Sequence, residues 1–143
     1  MIERLDYVAI NGPAIAAMAA AKKRMSSIEP GIRALIELRV SQINGCAYCI
    51  DLHSKEAIDA GEDEARVAHL ADWQDAPHFN PAEKAALAWA EAVTLLPETG
   101  ADDATYEALA MHHNETEIVD ITLIIAQMNA WNRLAVSFRH EPD

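Results

Sequence analysis

Glycine and proline are scarce in this 143-residue chain, and that shortage narrows the fold class. Only 5 glycines and 6 prolines occur, whereas 51% of the residues are apolar. Alanine is abundant throughout, and this combination favours helices over sheets. The chain shows no extended strand-like alternation, no internal repeat and no linker, and its length suits one sizeable core. We therefore expect an all-α protein with a single domain over residues 1–143.

Basic residues are also few, and this argues against two classes of partner. The chain carries 11 Lys and Arg against 23 Asp and Glu, for a formal net charge of −12. Nucleic-acid phosphates require clustered basic side chains, and anionic membrane surfaces attract the same clusters. We therefore expect no nucleic-acid partner and no membrane partner. The simplest meaning of the acidity is solubility.

Long hydrophobic runs are missing as well. The apolar stretch 14–21 is short, and its basic cluster at 22–24 follows it, which is the reverse of a secretory signal. The longest apolar region, 118–126, is interrupted by Asp120 and Thr122, so it does not predict a membrane span. These features predict a cytoplasmic protein. Structural disulfides are rare in that compartment, so the only two cysteines of the chain point to chemistry.

Helix signals divide the chain into seven predicted helices. Asn80-Pro81 with Glu83, and Asn114 with Glu117, have the spacing of N-terminal capping boxes. Asn44-Gly45 predicts a turn or kink between two helices. The first two predicted helices cover residues 13–25 and residues 30 to the Asn44-Gly45 turn. The third carries the cysteines and ends at Gly61, and the fourth is a short acidic helix over 63–71. The last three cover 81 to Pro97, 102–111 and 114–139.

The last of these helices is apolar nearly all the way round, which predicts burial on several sides. It is expected to form the core, a subunit interface, or both. Its polar residues Asn129, Asn132 and Arg133 need partners, because burying them without hydrogen bonds is costly. They could line a pocket or satisfy a subunit contact, and the sequence leaves both open.

Two thiols and an imidazole are concentrated in residues 44–53, which read NGCAYCIDLH. Cys46, Cys49 and His53 have i, i+3 and i+7 spacing, so a helix projects them along one stripe. A free thiol has a pKa near 8.5, so about 3% is thiolate at pH 7. His53, four residues after Cys49, can accept its proton or stabilise its anion. This spacing predicts Cys49 as the nucleophile and Cys46 as the thiol that resolves its sulfenic acid into a disulfide.

Other assignments of these residues stay open. If the Asn44-Gly45 turn places Cys46 at a helix start, the helix dipole favours the Cys46 thiolate, and Cys46 attacks first. Cys46, Cys49 and His53 could instead bind zinc with a fourth ligand such as His112 or His113. The cysteines could also be inert core residues.

Two further residues are candidates for proton transfer. Tyr48 could donate a hydrogen bond to a peroxide or relay a proton, or its ring could simply lie at the rim of the site. Glu37 would lie on the opposite side of a continuous helix from Cys46. Only a real turn at Asn44-Gly45 could bring it towards His53, where its carboxylate could orient the imidazole. Otherwise Glu37 pairs with Arg33 or faces solvent.

Three stretches of this sequence resemble the AhpD-like alkylhydroperoxidases of the carboxymuconolactone decarboxylase superfamily. They are 37–53 (ELRVSQINGCAYCIDLH), 85–94 (AALAWAEAVT) and 129–133 (NAWNR), and the resemblance extends over about residues 30 to 138. The CxxC with a histidine four residues later is its specific part. Best-characterised members carry a histidine where this chain has Tyr48, and their relay glutamate corresponds to Ala34, three residues before Glu37. The resemblance therefore implies a differently built relay.

The resemblance implies an all-helical fold, homo-oligomers (often trimers or hexamers) and reduction of hydrogen peroxide or organic hydroperoxides through the dithiol. By the family pattern Cys49 is peroxidatic, Cys46 resolves and His53 assists proton transfer. Regeneration would require an unidentified dithiol electron donor, and no cofactor or metal is expected. Alternatives are a decarboxylase-like enzyme acting on a small cyclic acid and a dithiol redox sensor that does not turn over.

Overall fold

The structure, a computed structural model, describes residues 2–142 and contains helices without strands over that range. Nine α-helices occur there: α1 Tyr7–Ile10, α2 Gly12–Ala20, α3 Pro30–Asn44, α4 Ala47–Asp59, α5 Glu64–Ala68, α6 Pro81–Thr94, α7 Leu96–Thr99, α8 Asp103–His112 and α9 Glu115–Phe138. Short 3₁₀ turns cover Ala21–Arg24 and Leu70–Asp72. The prediction of an all-α fold is confirmed.

All seven predicted helices are present, with differences at their ends. The four-residue helices α1 and α7 were not predicted. The helix predicted over 13–25 ends at Ala20 and is followed by a 3₁₀ turn, and the helix predicted to continue to Pro97 ends at Thr94. Pro97 then occupies the first turn of α7, where its missing N–H costs nothing. Both predicted capping boxes are present, at the starts of α6 and α9.

Helix α3 is the centre of the fold and packs against α4, α6 and α9. Its side chains divide between two apolar clusters. Ile36 and Val40 join the cluster around Ile121, Ile125 and Met128 of α9. The opposite face of α3 contributes to a second cluster, whose larger members are Leu35, Leu38, Leu70, Trp73, Phe79 and Leu87. Burial of both faces fixes the orientation of α3, and thereby the direction in which the chain enters the cysteine segment.

Helix α9 is buried within the chain except on one side, which carries exposed apolar residues; whether that side is a subunit interface, as the sequence allows, stays a prediction. Ile121 and Ile125 are fully buried, whereas Val119, Leu123 and Val136 are each about half exposed. The polar residues of α9 bind within the chain. Asn44 Nδ2 donates to Asn129 Oδ1 at 2.9 Å and to Asn132 Oδ1 at 3.0 Å.

This polar network continues from α9 to its neighbours. Asn132 Nδ2 donates to Ser41 Oγ, Asn129 Nδ2 donates to Thr94 Oγ1, and Arg133 Nη1 donates to Asn129 Oδ1. These side chains therefore neither line the main pocket nor depend on another subunit for partners. They tie the end of α3 to α9, immediately before the Gly45 turn.

The N-terminal segment 2–24 lies on the outside of this core and contributes no buried residue to it. Arg4 N donates to Phe138 O at 2.8 Å, and Gln127 Nε2 donates to Met18 O. The ring of Tyr7 lies 5.6 Å from that of Phe138. The segment therefore covers the ends of α4 and α9 as a thin layer. Across the described residues, no helix has both the length and the apolar character needed to cross a membrane.

Candidate active site

A left-handed turn at Gly45 positions the cysteine segment. Gly45 has φ 68° and ψ 34°, a conformation that ends α3 and is unfavourable for residues with a Cβ. Its N–H donates to backbone carbonyls of α3, and Cys46 then adopts an extended conformation as the N-cap of α4. The turn reverses the chain direction, so α3 and α4 pack side by side.

Cys46 and Cys49 are joined as a disulfide, with their Cα atoms 5.3 Å apart. Cys46 Sγ also accepts a hydrogen bond from Cys49 N at 3.3 Å, as an N-cap side chain does. Cys46 thus lies at the start of a helix, which is the position that the alternative with Cys46 as the attacking thiol requires. Both residues are buried, at 1% and 3% exposure.

The two sulfur-bearing residues differ in their access to a cavity. A cavity of about 280 Å³ is bounded by α3, α4, α9 and the N-terminal segment, and Cys49 lines it whereas Cys46 does not. Glu37, Tyr48 and His53 line the same cavity. Thus four of the five predicted site residues share one space, and Cys46 lies behind Cys49.

Glu37 lies beside His53, as the turn at Gly45 requires. A Glu37 carboxylate oxygen, a His53 ring nitrogen and a Glu56 carboxylate oxygen all lie within 4.8 Å of one another. Glu37 is 8% exposed, and its Oε1 has no hydrogen-bond partner. Arg33, the alternative partner, donates instead to the carbonyls of Lys22 and Met25. Burial raises the pKa of Glu37, while the nearby His53 and Lys22 act in the opposite direction.

His53 has one ring nitrogen committed and one available. Its Nδ1 lies 2.9 Å from Glu56 Oε2. A carboxylate only accepts hydrogen bonds, so Nδ1 carries the proton and donates. In the neutral ring Nε2 is then an acceptor and can take up a proton. The arrangement therefore presents a base near Cys49, fixed in its tautomer by Glu56.

Tyr48 lies at the rim of the cavity. Its ring packs edge-on against His140 at 4.3 Å, and His140 Nδ1 lies 3.2 Å from Glu3 Oε1. Tyr7 also lines the cavity, and burial raises its pKa, with Tyr48 acting in the same direction. The roles predicted for Tyr48 in proton relay remain predictions.

Apolar side chains form most of the remaining wall. They are Val8, Ile15, Ala19, Leu52, Met128, Trp131 and Ala135. Neither these nor Glu56 had been identified from the sequence. The i, i+3 spacing of His53 and Glu56 was a usable signal. No sequence signal pointed to the wall residues from α1 and α2, because nothing in residues 7–19 indicates which surface these helices cover.

The predicted zinc set is not assembled. The two cysteines are bonded to each other, and His113 Nε2 lies 3.0 Å from Ala82 O, at the start of α6. His112 is the last residue of α8. The histidines proposed as a fourth ligand therefore belong to another part of the fold.

Comparison with known proteins identifies the family of this chain. The model of the carboxymuconolactone decarboxylase family matches residues 12–92, more than half of the chain. The chain belongs to the carboxymuconolactone decarboxylase family. Within that family it is AhpD-like.

Relatives in the carboxymuconolactone decarboxylase family match nearly the whole chain. The uncharacterized protein YdfG of Bacillus subtilis is 40% identical over 139 residues, which cover 96% of this chain and 95% of YdfG. The crystal structure of ATU0492 from Agrobacterium tumefaciens, a protein of unknown function provisionally assigned to AhpD antioxidant defence, superposes with TM-score 0.95. It is 38% identical and covers 99% of both chains.

A more distant structure shares the fold alone. The debrominase Bmp8 superposes with TM-score 0.82 at 24% identity, over 92% of this chain and 70% of the Bmp8 chain. The helical scaffold thus occurs with more than one named activity, so the reaction must be argued from the residues at the cavity.

Proposed function

We propose that this protein is a thiol-dependent peroxidase that reduces hydrogen peroxide or organic hydroperoxides through a Cys46–Cys49 dithiol/disulfide cycle. One observation carries the proposal. Cys49, one half of a disulfide, lines a cavity that it shares with a base, His53, and a buried carboxyl group, Glu37. A structural disulfide requires neither a cavity nor a base beside it.

The first step uses the reduced form. The His53 imidazole accepts the Cys49 thiol proton, and the thiolate attacks the outer oxygen of the hydroperoxide. The O–O bond breaks, Cys49 becomes a sulfenic acid, and the alkoxide takes a proton and leaves as an alcohol, or as water from hydrogen peroxide. The imidazolium can supply that proton, so His53 would serve first as base and then as acid.

The second step closes the disulfide. The Cys46 thiolate attacks the Cys49 sulfur, the S–O bond breaks, and hydroxide leaves as water after protonation. The Cα separation of 5.3 Å in the closed form lies within the range usual for disulfides. Two electrons have then passed from the thiols to the peroxide. A dithiol donor would return them by thiol–disulfide exchange.

The order of the two cysteines rests on access. The N-cap position stabilises a Cys46 thiolate, but a peroxide in the cavity meets Cys49. A stabilised Cys46 thiolate is also what a resolving thiol needs, because the thiolate is the attacking species. Both features of the structure support Cys49 as the peroxidatic cysteine.

A direct test measures thiols and turnover together. Free thiols are titrated in the reduced protein before and after one equivalent of peroxide, in wild type and in Cys49→Ser, and turnover is followed with a dithiol reductant. The proposal expects loss of two thiols in wild type, catalytic turnover, and neither in the variant. Thiol loss without turnover would support a redox sensor. No thiol loss would leave decarboxylase-like chemistry as the alternative to pursue.

We also propose that the protein is a homo-oligomer, a trimer or hexamer as its family resemblance implies. Val119, Leu123 and Val136, three half-exposed apolar residues of α9, support the proposal, since homo-oligomer interfaces are apolar. Sedimentation equilibrium of wild type and Leu123→Glu tests it. A wild-type monomer would exclude it.

A further inference from the structure

The cavity contains a group of side chains that peroxide reduction does not fully use. The carboxylates of Glu37 and Glu56 flank the His53 imidazole, and one ligand atom from each lies within 4.8 Å of the others. In the proposed peroxidase cycle, Glu56 only orients His53. One carboxylate is enough to orient an imidazole, so the presence of a second one at His53 needs another explanation.

We propose that Glu37, His53 and Glu56 form a binding site for a divalent transition-metal ion of the Zn²⁺ class, and that the bound ion inhibits thiol chemistry at Cys49. Zinc takes imidazole nitrogen and carboxylate oxygen at about 2.0–2.2 Å, so two ligands of a tetrahedral ion lie about 3.4 Å apart. The three ligand atoms need to approach one another by about 1.4 Å at most. Glu56, whose side chain is 39% exposed, has the freedom to make that adjustment.

The environment of Glu37 gives independent support for a bound cation. Its side chain is 8% exposed and its Oε1 has no hydrogen-bond partner in the described chain. Buried polar atoms in native proteins are nearly always satisfied, so the unpaired Oε1 of Glu37, in a carboxyl group close to the His53 imidazole, calls for a partner. A cation supplies that partner and also neutralises a charge that burial opposes.

The composition of the ligand set selects the ion. An imidazole favours zinc and its transition-metal neighbours over magnesium and calcium, which prefer oxygen ligands throughout. The cavity leaves the remaining position open to water. Two positive groups lie near the site. Arg33 is held by backbone carbonyls, and Lys22 is exposed at the cavity edge, where its side chain can turn towards solvent.

Inhibition follows from shared atoms. An ion bound to a His53 ring nitrogen restricts the ring as a proton acceptor, and an ion on Glu37 fixes that carboxylate as an anion. The residues coincide with those of the proposed peroxidase, but binding itself does not rest on turnover. The two ideas can therefore fail separately.

Calorimetric titration of ZnCl₂ into the disulfide form tests binding, because the cysteines cannot then act as ligands. We expect one ion per chain with micromolar affinity, weakened at least about tenfold in both Glu37→Gln and Glu56→Gln. Asp59→Asn, an exposed carboxylate on the same helix, is the matched control and should bind like wild type. Affinity should also fall at acidic pH, since the ligands bind metal only when deprotonated.

Two results would overturn the site: no binding up to about 1 mM Zn²⁺, or equal binding in wild type and both Gln variants. The second result would assign the ion to other surface groups, such as the stacked His69 and His78. Because the Glu56 side chain is partly exposed, Glu56→Gln remains decisive even if Glu37→Gln fails to fold. Inhibition is then read from the rate at which a phosphine, a reductant without thiols, opens the disulfide, because the cysteines cannot bind the ion in that form. Zn²⁺ should slow the reaction in wild type but not in Glu56→Gln.

Discussion

Glu37 and His53 approach each other across the α3–α4 pair because Gly45 reverses the chain between them. The carboxyl group is buried and lacks a partner for Oε1, while the imidazole is oriented by Glu56 at 2.9 Å. The pair therefore combines a carboxyl group that resists ionisation with a base of defined tautomer. Four predictions follow from this pair and the walls around it.

His53 and Glu56 should affect thiol oxidation unequally. His53→Gln removes the base, so the rate of Cys49 oxidation by peroxide at neutral pH should fall by about 10²–10⁴-fold. Glu56→Gln keeps the base and weakens only its orientation, so a loss of about tenfold is expected. Stopped-flow thiol oxidation over a range of pH measures both. Equal rates in His53→Gln and wild type would remove His53 from the mechanism.

Glu37 should make the protein less stable as pH rises. Burial raises its folded-state pKa, so the folded protein binds more protons than the unfolded chain between the unfolded and folded pKa values. The free energy of unfolding therefore falls as pH increases through that window. Glu37→Gln removes the buried charge and should be more stable than wild type at neutral pH. A gain of about 1 kcal/mol would raise Tm by about 3 °C.

The pH dependence of the effect of Glu37→Gln shows whether charge is its cause. Below the unfolded pKa of Glu37 the carboxyl group is protonated in both states, so the advantage of Glu37→Gln should disappear there. Thermal unfolding of wild type and variant at neutral and acidic pH gives the comparison. A difference in Tm that does not change with pH would show that packing, and not charge, separates the two proteins.

The N-terminal segment should influence which peroxide is used. Val8 lines the cavity, whereas Ile10, on the same short helix, does not. Val8→Ser should raise the KM for a bulky organic hydroperoxide by about three- to tenfold and leave hydrogen peroxide nearly unchanged, since only the former contacts the apolar wall. Ile10→Ser is the matched control. Equal effects of the two substitutions would argue against a substrate-contacting role of α1.

Gly45 should tolerate asparagine better than alanine. Its φ of 68° places it in the left-handed region, and apart from its chain neighbours no heavy atom lies within 4 Å of the position of an added Cβ. Strain alone therefore sets the cost, about 1–2 kcal/mol for Gly45→Ala. Asparagine adopts this conformation more readily, so Gly45→Asn should lose less. Denaturant unfolding of both variants checks the order. A larger loss for asparagine would point to side-chain effects.

Local sequence patterns were enough to predict most of the helices and to nominate the residues of the proposed redox chemistry. Capping boxes at Asn80 and Asn114 and the Asn44-Gly45 turn depend on local hydrogen bonds and backbone conformation, which neighbouring residues dictate. Cys49 and His53 face the same cavity from α4, as their helical spacing predicts, whereas Cys46 precedes the helix as its N-cap and lies outside the predicted stripe. These relationships span a few residues, so no knowledge of the tertiary fold was needed.

Contacts between side chains of different helices could not be predicted from local patterns and became visible in the packed fold. The approach of Glu37 to His53 depends on the packing of α3 beside α4, and the cavity walls come from α1, α2 and α9. The partners of Asn129 and Asn132 likewise lie on α3 and α6. Such contacts depend on which apolar helix faces pack against each other. The sequence shows which face of each helix is apolar, but it does not show which faces pack together.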